Sequence, residues 1–156
     1  MEEHQKLIQE ANRFLLTADH LAYTTYPLVK ENKMLLAIVQ NLNSALTHAM
    51  EAILQYDRLY KRIPPLPSNF DLKLDMFKTK CLTRYSLPRE SIQLIRDLKL
   101  LIREHEKSPI EFSRKDKFVI CSEEYRMRTL NIHKVKDYIV KSKPFIEKAT
   151  RVLSRK

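Results

Sequence analysis

Basic side chains recur every seven residues near the end of the sequence. Lys134, Lys141, Lys148 and Arg155 follow this spacing, and Arg151 lies beside the last two. On a helix they would form a stripe about 31 Å long, opposite the apolar positions of the same segment. Such a stripe can contact several phosphates of a nucleic acid. It is also typical of a solvated helix face whose cations suit the negative end of the helix dipole.

Two more basic residues precede this stripe in a segment where polar and apolar residues alternate. Arg126 and Arg128 would share one face of a strand, where they could extend the basic surface. They could instead form cross-strand ion pairs with Glu111 or Glu123. The sequence therefore predicts a nucleic-acid-binding set made of Arg126, Arg128, Lys134, Lys141, Lys148, Arg151 and Arg155.

The charge of the chain is distributed unevenly. Residues 1–60 carry 5 basic and 7 acidic side chains, whereas residues 61–156 carry 24 basic and 12 acidic ones. An excess of one sign in one half of a protein favours an oppositely charged partner. We therefore expect the basic C-terminal half to bind RNA or a ribonucleoprotein.

Residues 128–133 contain an arginine and a histidine separated by four residues. Arg128 and His133 have the spacing of the short arginine and histidine motif of HEPN domains, which this segment resembles. The resemblance extends to a long alanine-containing helix, residues 42–54, within a helical bundle. It implies a ribonuclease in which Arg128 and His133 act on the RNA backbone. We favour binding without catalysis and keep an HEPN-like ribonuclease as an alternative.

The chain contains no glycine, and this excludes several common enzyme classes. Phosphate-binding loops, dinucleotide fingerprints and nucleophile elbows all need glycine for positive φ or for close approach of the backbone to a ligand. We therefore expect no nucleotide cofactor. The missing glycines also favour helices joined by simple connections.

Metal-binding spacings are not recognisable in this sequence. His48 and Glu51 lie three residues apart, but a di-iron bundle needs a second such pair and further carboxylates. Cys81 and Cys121 have no neighbouring cysteine or histidine at zinc-site spacing, so we expect no metal and two reduced thiols. The N-terminus lacks signal-peptide character, and no apolar run approaches the roughly 20 residues that span a bilayer. The expected location is the cytoplasm.

Apolar periodicity predicts a helical hairpin over residues 1–63. The first helix should end near Tyr26, and Thr25 should cap a second helix that runs from Pro27 to about residue 62. The long apolar face of this second helix could pack against another chain. A protein-interaction module or homodimer through residues 35–59 is therefore a further alternative. The seam of that second helix consists of Leu35, Ile38, Leu42, Ala45, Ala49, Ala52, Tyr56 and Leu59.

A proline-rich linker, residues 64–68, should separate this hairpin from a basic helical part, residues 69–156. Asn69 and Ser86 are expected to cap two helices, Asn131 a last one, and Pro144 should kink or restart that last helix. Alternating residues predict an antiparallel meander at about residues 110–130, with an apolar face against the helices made of Ile110, Phe112, Phe118, Ile120, Tyr125 and Met127. The expected fold is thus mainly α, a single-domain helical bundle with a small β-meander before its C-terminal helix.

Overall fold

The computed structural model describes residues 1–122, 124 and 126–154. It has the predicted architecture of a long N-terminal helical hairpin, further helices and a small sheet before the C-terminal helix. The elements are α1 (Glu3–His20), a π-helical turn (Leu21–Thr25), α2 (Tyr26–Val29), α3 (Lys33–Leu59), α4 (Phe70–Met76), a second π-helical turn (Phe77–Cys81), α5 (Glu90–Lys107), β1 (Ile110–Arg114), β2 (Lys117–Cys121), β3 (Met127–Leu130) and α6 (Ile132–Ser154).

Helix α3 lies at the centre of the molecule. Helix α1 packs along its length, and α5 and α6 contact it as well. Ala45, Ala49 and Ala52 are 0% exposed, and their small side chains allow neighbouring helices to approach closely. The predicted seam is therefore interior, apart from Tyr56, which is half-buried, and Leu59, which is exposed at the end of the helix. A second chain could reach most of this seam only by displacing its intramolecular partners.

The turn of the hairpin lies later in the chain than the sequence predicts. The first helical run continues through Pro27 to Val29 and reverses at Lys30, where φ is 55°. Thr25 makes no capping hydrogen bond, so its predicted role as an N-cap is wrong. The π-helical turn ends at Thr25, two residues before Pro27, and the Tyr26 N–H that follows it donates to the Leu21 carbonyl, five residues back. Proline, which has no N–H to donate, is accommodated in the first turn of α2.

Asn32 connects the hairpin turn to the sheet. Its amide nitrogen donates to the carbonyls of Lys115 (2.6 Å) and Lys117 (3.2 Å), on either side of the β1–β2 turn. Its amide oxygen accepts from the Tyr26 hydroxyl at 3.1 Å. A buried side chain thus holds together two parts of the chain that are about eighty residues apart.

Two of the three N-terminal helix caps predicted for residues 69–156 are confirmed. Asn69 caps α4 by accepting from the Leu72 N–H, and the Asn131 side chain accepts from the Lys134 N–H at the start of α6. Ser86 is not a cap: it has φ 52° and lies in the turn before α5, which begins at Glu90. Helix α6 passes through Pro144 without restarting there.

The antiparallel order β1–β2–β3 confirms the predicted meander, but its apolar residues are divided between two faces. Phe118 and Ile120 are buried, as expected. Ile110, Phe112 and Met127 are 57%, 39% and 67% exposed, so their predicted place against the helices is wrong. The physical reason is register: residues paired across antiparallel strands share a face, and Phe112 pairs with Val119, whose side chain points away from those of its neighbours in β2. Tyr125, assigned to the same face, lies outside the described residues.

A buried carboxylate ties the end of α3 to the segment after α4. Asp57 is 0% exposed and accepts hydrogen bonds from the Arg84 guanidinium, the Cys81 thiol at 3.1 Å and the Tyr85 hydroxyl. Arg62 lies 3.6 Å away. Burial, reinforced by the hydrogen bond to Asp57, raises the pKa of the Cys81 thiol and raises that of Tyr85 to about 12.

The raised pKa of Tyr85 predicts a stability change in alkali. The folded state keeps the phenol proton to about pH 12, whereas an unfolded tyrosine loses it near its ordinary pKa of about 10. This contribution to stability is full below about pH 10 and is lost as pH rises towards 12. We expect the difference in unfolding free energy between wild type and Tyr85→Phe to shrink over that window, as measured by urea unfolding. Tyr60→Phe, which removes an exposed phenol, is the control, and a constant difference for Tyr85→Phe would contradict the prediction.

A second prediction concerns the left-handed corners of this glycine-free chain. Lys30, Lys61, Ser86 and Lys115 have φ between 52° and 56°. We expect Lys61→Gly to raise the unfolding free energy by about 0.5 to 1 kcal/mol, because glycine removes a left-handed penalty of about 1 to 2 kcal/mol but gives the unfolded chain more freedom. The matched control is Lys6→Gly on the exposed face of α1. This substitution should lower the unfolding free energy by about 1 kcal/mol. Thermal and urea unfolding measure both, and destabilisation by Lys61→Gly would show the expectation to be wrong.

Candidate nucleic-acid interface

A groove of about 800 Å³ lies between the C-terminal half of α5 and strand β3, and its far end reaches the first turn of α6. We call it the basic groove. Its described lining includes two carboxylates, Glu104 and Glu124. The cations of that lining are Arg103, Lys107, Arg126, Arg128 and Lys134.

Helical and strand periodicities position these side chains. Lys107 follows Arg103 by four residues and Glu104 by three, so its side chain lies beside both on the surface of α5. Arg126 directly precedes β3, and its N–H donates to the Ser122 hydroxyl at 3.1 Å. Three elements that are separate in the sequence thus direct positive charge into one concavity.

Arg128 holds the two walls of the groove together. It occupies the same sheet face as Ile120, so its side chain points towards α5, where Nε lies 2.5 Å from a carboxylate oxygen of Glu104. Both side chains are half-buried. The predicted cross-strand pair with Glu111 is not formed, because that carboxylate contacts His105 at 2.6 Å. Glu123, the other predicted partner, lies outside the described residues.

The remaining cations of the groove are available to a ligand to different degrees. Arg103 lies 3.6 Å from Asp71, and exposed Arg126 lies 3.8 Å from Glu124, both loose pairs at the surface. Such exposed pairs contribute little and are readily exchanged for another anion. Within the described part of the chain, exposed Lys107 and Lys134 form no ion pair. The groove therefore keeps a positive surface after its internal pairs are counted.

The stripe predicted on the last helix continues from Lys134 along α6. Lys141 and Arg151 are exposed, Lys148 is half-buried, and Arg155 lies outside the described residues. Lys141 donates to Asp137 at 2.8 Å, and this hydrogen bond raises the pKa of the lysine. Lys134 and Lys141 are seven residues apart, or about 10 Å along the helix. The structure thus brings Arg126, Arg128 and Lys134 together, and the other predicted cations lie farther along α6.

The two residues of the HEPN-like motif lie on different elements. Arg128 is on β3 and is engaged by Glu104, whereas His133 is exposed in the first turn of α6. Among the described contacts, none joins the two side chains.

Lys107 and Arg103 were missed at the level of sequence. A signal existed, since Leu100, Arg103, Glu104 and Lys107 follow helical spacing on the side of α5 that faces away from the core. The sequence does not reveal, however, that this side meets β3.

Other polar groups have structural partners. His48 contacts Glu10 at 3.2 Å and the Ser44 carbonyl at 2.7 Å, while Glu51 pairs with Lys73. Over residues 1–122, 124 and 126–154, no group of three potential metal ligands comes together. None of the helices in that part of the chain is long and apolar enough to cross a membrane.

No protein-family model, curated protein sequence or solved structure matches this chain. Its own charges and the geometry of the basic groove are accordingly the basis on which a function can be proposed.

Proposed function

We propose that this protein binds RNA, alone or as part of a ribonucleoprotein, and does so without cleaving it. The observation that carries the proposal is the convergence of Lys107, Arg126 and Lys134 on one groove from three separate parts of the chain. Phosphates would replace the weak surface pairs of this groove and release counterions, which is the main source of affinity for a nucleic-acid backbone.

The shape of the groove favours a single strand over a duplex. Reading a DNA major groove requires a protruding helix or ribbon, whereas a concave basic channel suits a flexible strand whose backbone it can follow. Five cations face two carboxylates among the described residues of the lining. Lys141 and Arg151 extend the positive track along α6 for a longer ligand.

Arg128 is assigned a positioning role. Its ion pair with Glu104 is half-buried, so it fixes the separation of β3 and α5 while the more exposed cations contact phosphates. Removing one partner would leave the other charge partly buried and unpaired, which is costly. A change at Arg128 therefore mixes effects on stability and on binding, and the exposed lysines are better probes of function.

The alternative of a protein-interaction module through residues 35–59 has less support. Most of that seam is covered by other helices of the same chain. A partner that bound there would have to separate the bundle first. We therefore retain RNA binding as the preferred function.

Charge reversal tests the groove. We expect Lys107→Glu/Lys134→Glu to weaken single-stranded RNA binding strongly at low salt and little at high salt. Each phosphate that the variant no longer binds should reduce the magnitude of the negative slope of log K against log salt by about 0.7. Lys141→Glu/Lys148→Glu should have a smaller effect of the same kind, because both residues lie outside the lining of the basic groove and Lys148 is half-buried. Fluorescence anisotropy over a salt series measures both slopes.

The matched control for charge reversal is Lys6→Glu/Lys33→Glu, which changes net charge equally at exposed positions in the N-terminal half. These surface substitutions should each alter stability by no more than about 0.5 kcal/mol. If the groove variant keeps the affinity and salt slope of this control, RNA does not bind in the basic groove.

The absence of cleavage is a separate prediction. We expect labelled RNA to remain intact with pure protein, as followed by gel electrophoresis. His133→Ala is the informative variant because His133 is exposed, whereas Arg128→Ala also breaks the pair with Glu104. Robust hydrolysis by the wild type that falls by about 10² to 10⁴ in His133→Ala would establish the HEPN-like ribonuclease instead.

A further inference from the structure

The sheet has a face that points away from the helices, and we call it the outer sheet face. Its composition follows from the strand register, since paired residues share a face and every second residue of a strand returns to it. Successive rows on one face lie about 6.7 Å apart along the strands. The rows are Ile110 with Cys121 and Met127, then Phe112 with Val119 and Thr129, and then Arg114 with Lys117.

Apolar and basic residues occupy different ends of this outer sheet face. Ile110 and Met127 are largely exposed at one end, and Arg114 and Lys117 lie at the other. Phe112 stands between them with 39% of its surface exposed. An aromatic ring is thus presented to solvent within reach of two cations.

The middle of the outer sheet face is concave. A depression of about 260 Å³ lies there, and Val119 forms part of its lining although it is only 5% exposed. Arg114, Lys115 and Lys117 also line it, and no carboxylate occurs among its described lining residues. Asp116, in the same turn, lies near the Tyr26 hydroxyl, whose pKa is raised by burial and by this carboxylate.

The outer sheet face is continuous with the basic groove. Met127 and Thr129 line both concavities, and β3, which carries them, is an edge strand of the sheet. A strand of RNA in the groove can therefore pass over Met127 and Thr129 of β3 and reach the cations of the outer sheet face.

We propose that the outer sheet face binds unpaired nucleotides of the RNA held in the basic groove. Phe112 stacks on a base, while Arg114 and Lys117 contact the adjacent phosphates. Stacking on an aromatic side chain accepts any base but requires the base to be unpaired, so it selects single strands over duplexes. This inference rests on the proposed function and adds the kind of RNA that is bound.

Charge distinguishes this occupant from a second copy of the chain. The protein has a formal net charge of +10, and another copy would bring further positive charge to a depression lined by three cations. A polyanion with flat apolar bases matches both the basic and the aromatic parts of the outer sheet face.

Phe112→Ala provides the test, with labelled oligoadenylate as the single strand and the same strand paired with oligouridylate as the duplex. We expect Phe112→Ala to weaken single-strand binding by about 5- to 150-fold and to leave duplex binding and the salt slope nearly unchanged. Phe112→Tyr should retain affinity because it keeps the aromatic face. The matched control is Leu16→Ala, which removes an exposed apolar side chain on α1.

A second variant covers the case in which Phe112→Ala does not fold. Phe112→Leu keeps apolar bulk but cannot stack, so it should lose most of the preference for the single strand. If a folded Phe112 variant without an aromatic ring binds the single strand as the wild type does, while Lys107→Glu/Lys134→Glu binds weakly, the stacking proposal is overturned and the RNA-binding proposal stands.

Two further outcomes are decisive. If the wild type binds neither strand at low salt, both proposals fail. If light scattering shows self-association of the wild type that Phe112→Ala abolishes, with RNA affinity unchanged, the outer sheet face joins two copies of the chain, and stacking is overturned.

Discussion

Burial of α3 is the constraint on which the rest of the molecule depends. Between Lys33 and Glu51 this helix carries no Asp, Glu, Lys or Arg, and so long an apolar surface must be covered from several sides. Burying one large apolar side chain contributes roughly 1.5 to 3 kcal/mol, and α3 buries many of them. Helices α1, α5 and α6 and strand β2 all contact α3. Helix α5 contacts α3 directly, and β3 is paired with β2, which also contacts α3. The two walls of the basic groove are therefore positioned relative to a common rigid element.

Hydrophobic periodicity predicts where the helices and strands lie better than it predicts which face of a strand is buried. The three-and-four spacing of α3 and the alternation in residues 110–130 were sufficient to predict the hairpin and the meander. The orientation of the sheet was predicted wrongly because Phe118, Val119 and Ile120 are consecutive apolar residues, so alternation alone cannot decide which side of β2 faces the helices. The continuation through Pro27 was missed for a different reason. The π-helical turn shifts the hydrogen bond of the Tyr26 N–H, just before Pro27, to a carbonyl five residues back. Such a turn has no simple sequence signature.

The candidate site was predictable where it depends on local spacing. Arg126, Arg128 and Lys134 were identified as basic residues near one another in the chain. Their meeting with Lys107 depends on the contact of α5 with β3, which is tertiary. The Asp57 cluster was missed for the same reason, since its hydrogen-bonding partners lie 24 to 28 residues away. Charge is visible in a sequence, but its compensation by a distant partner is visible only in the fold.

The contact between α3 and α6 has a consequence for synthesis of the chain on the ribosome. About ninety-five residues separate the end of α3 at Leu59 from the end of α6 at Ser154. At about 5 to 20 residues per second, translation of this stretch takes roughly 5 to 20 s. During that interval the nascent α1–α3 hairpin presents the apolar surface that α6 later covers. Chaperone binding and aggregation compete with folding at this surface, and the competition ends only when the last described helix emerges and docks.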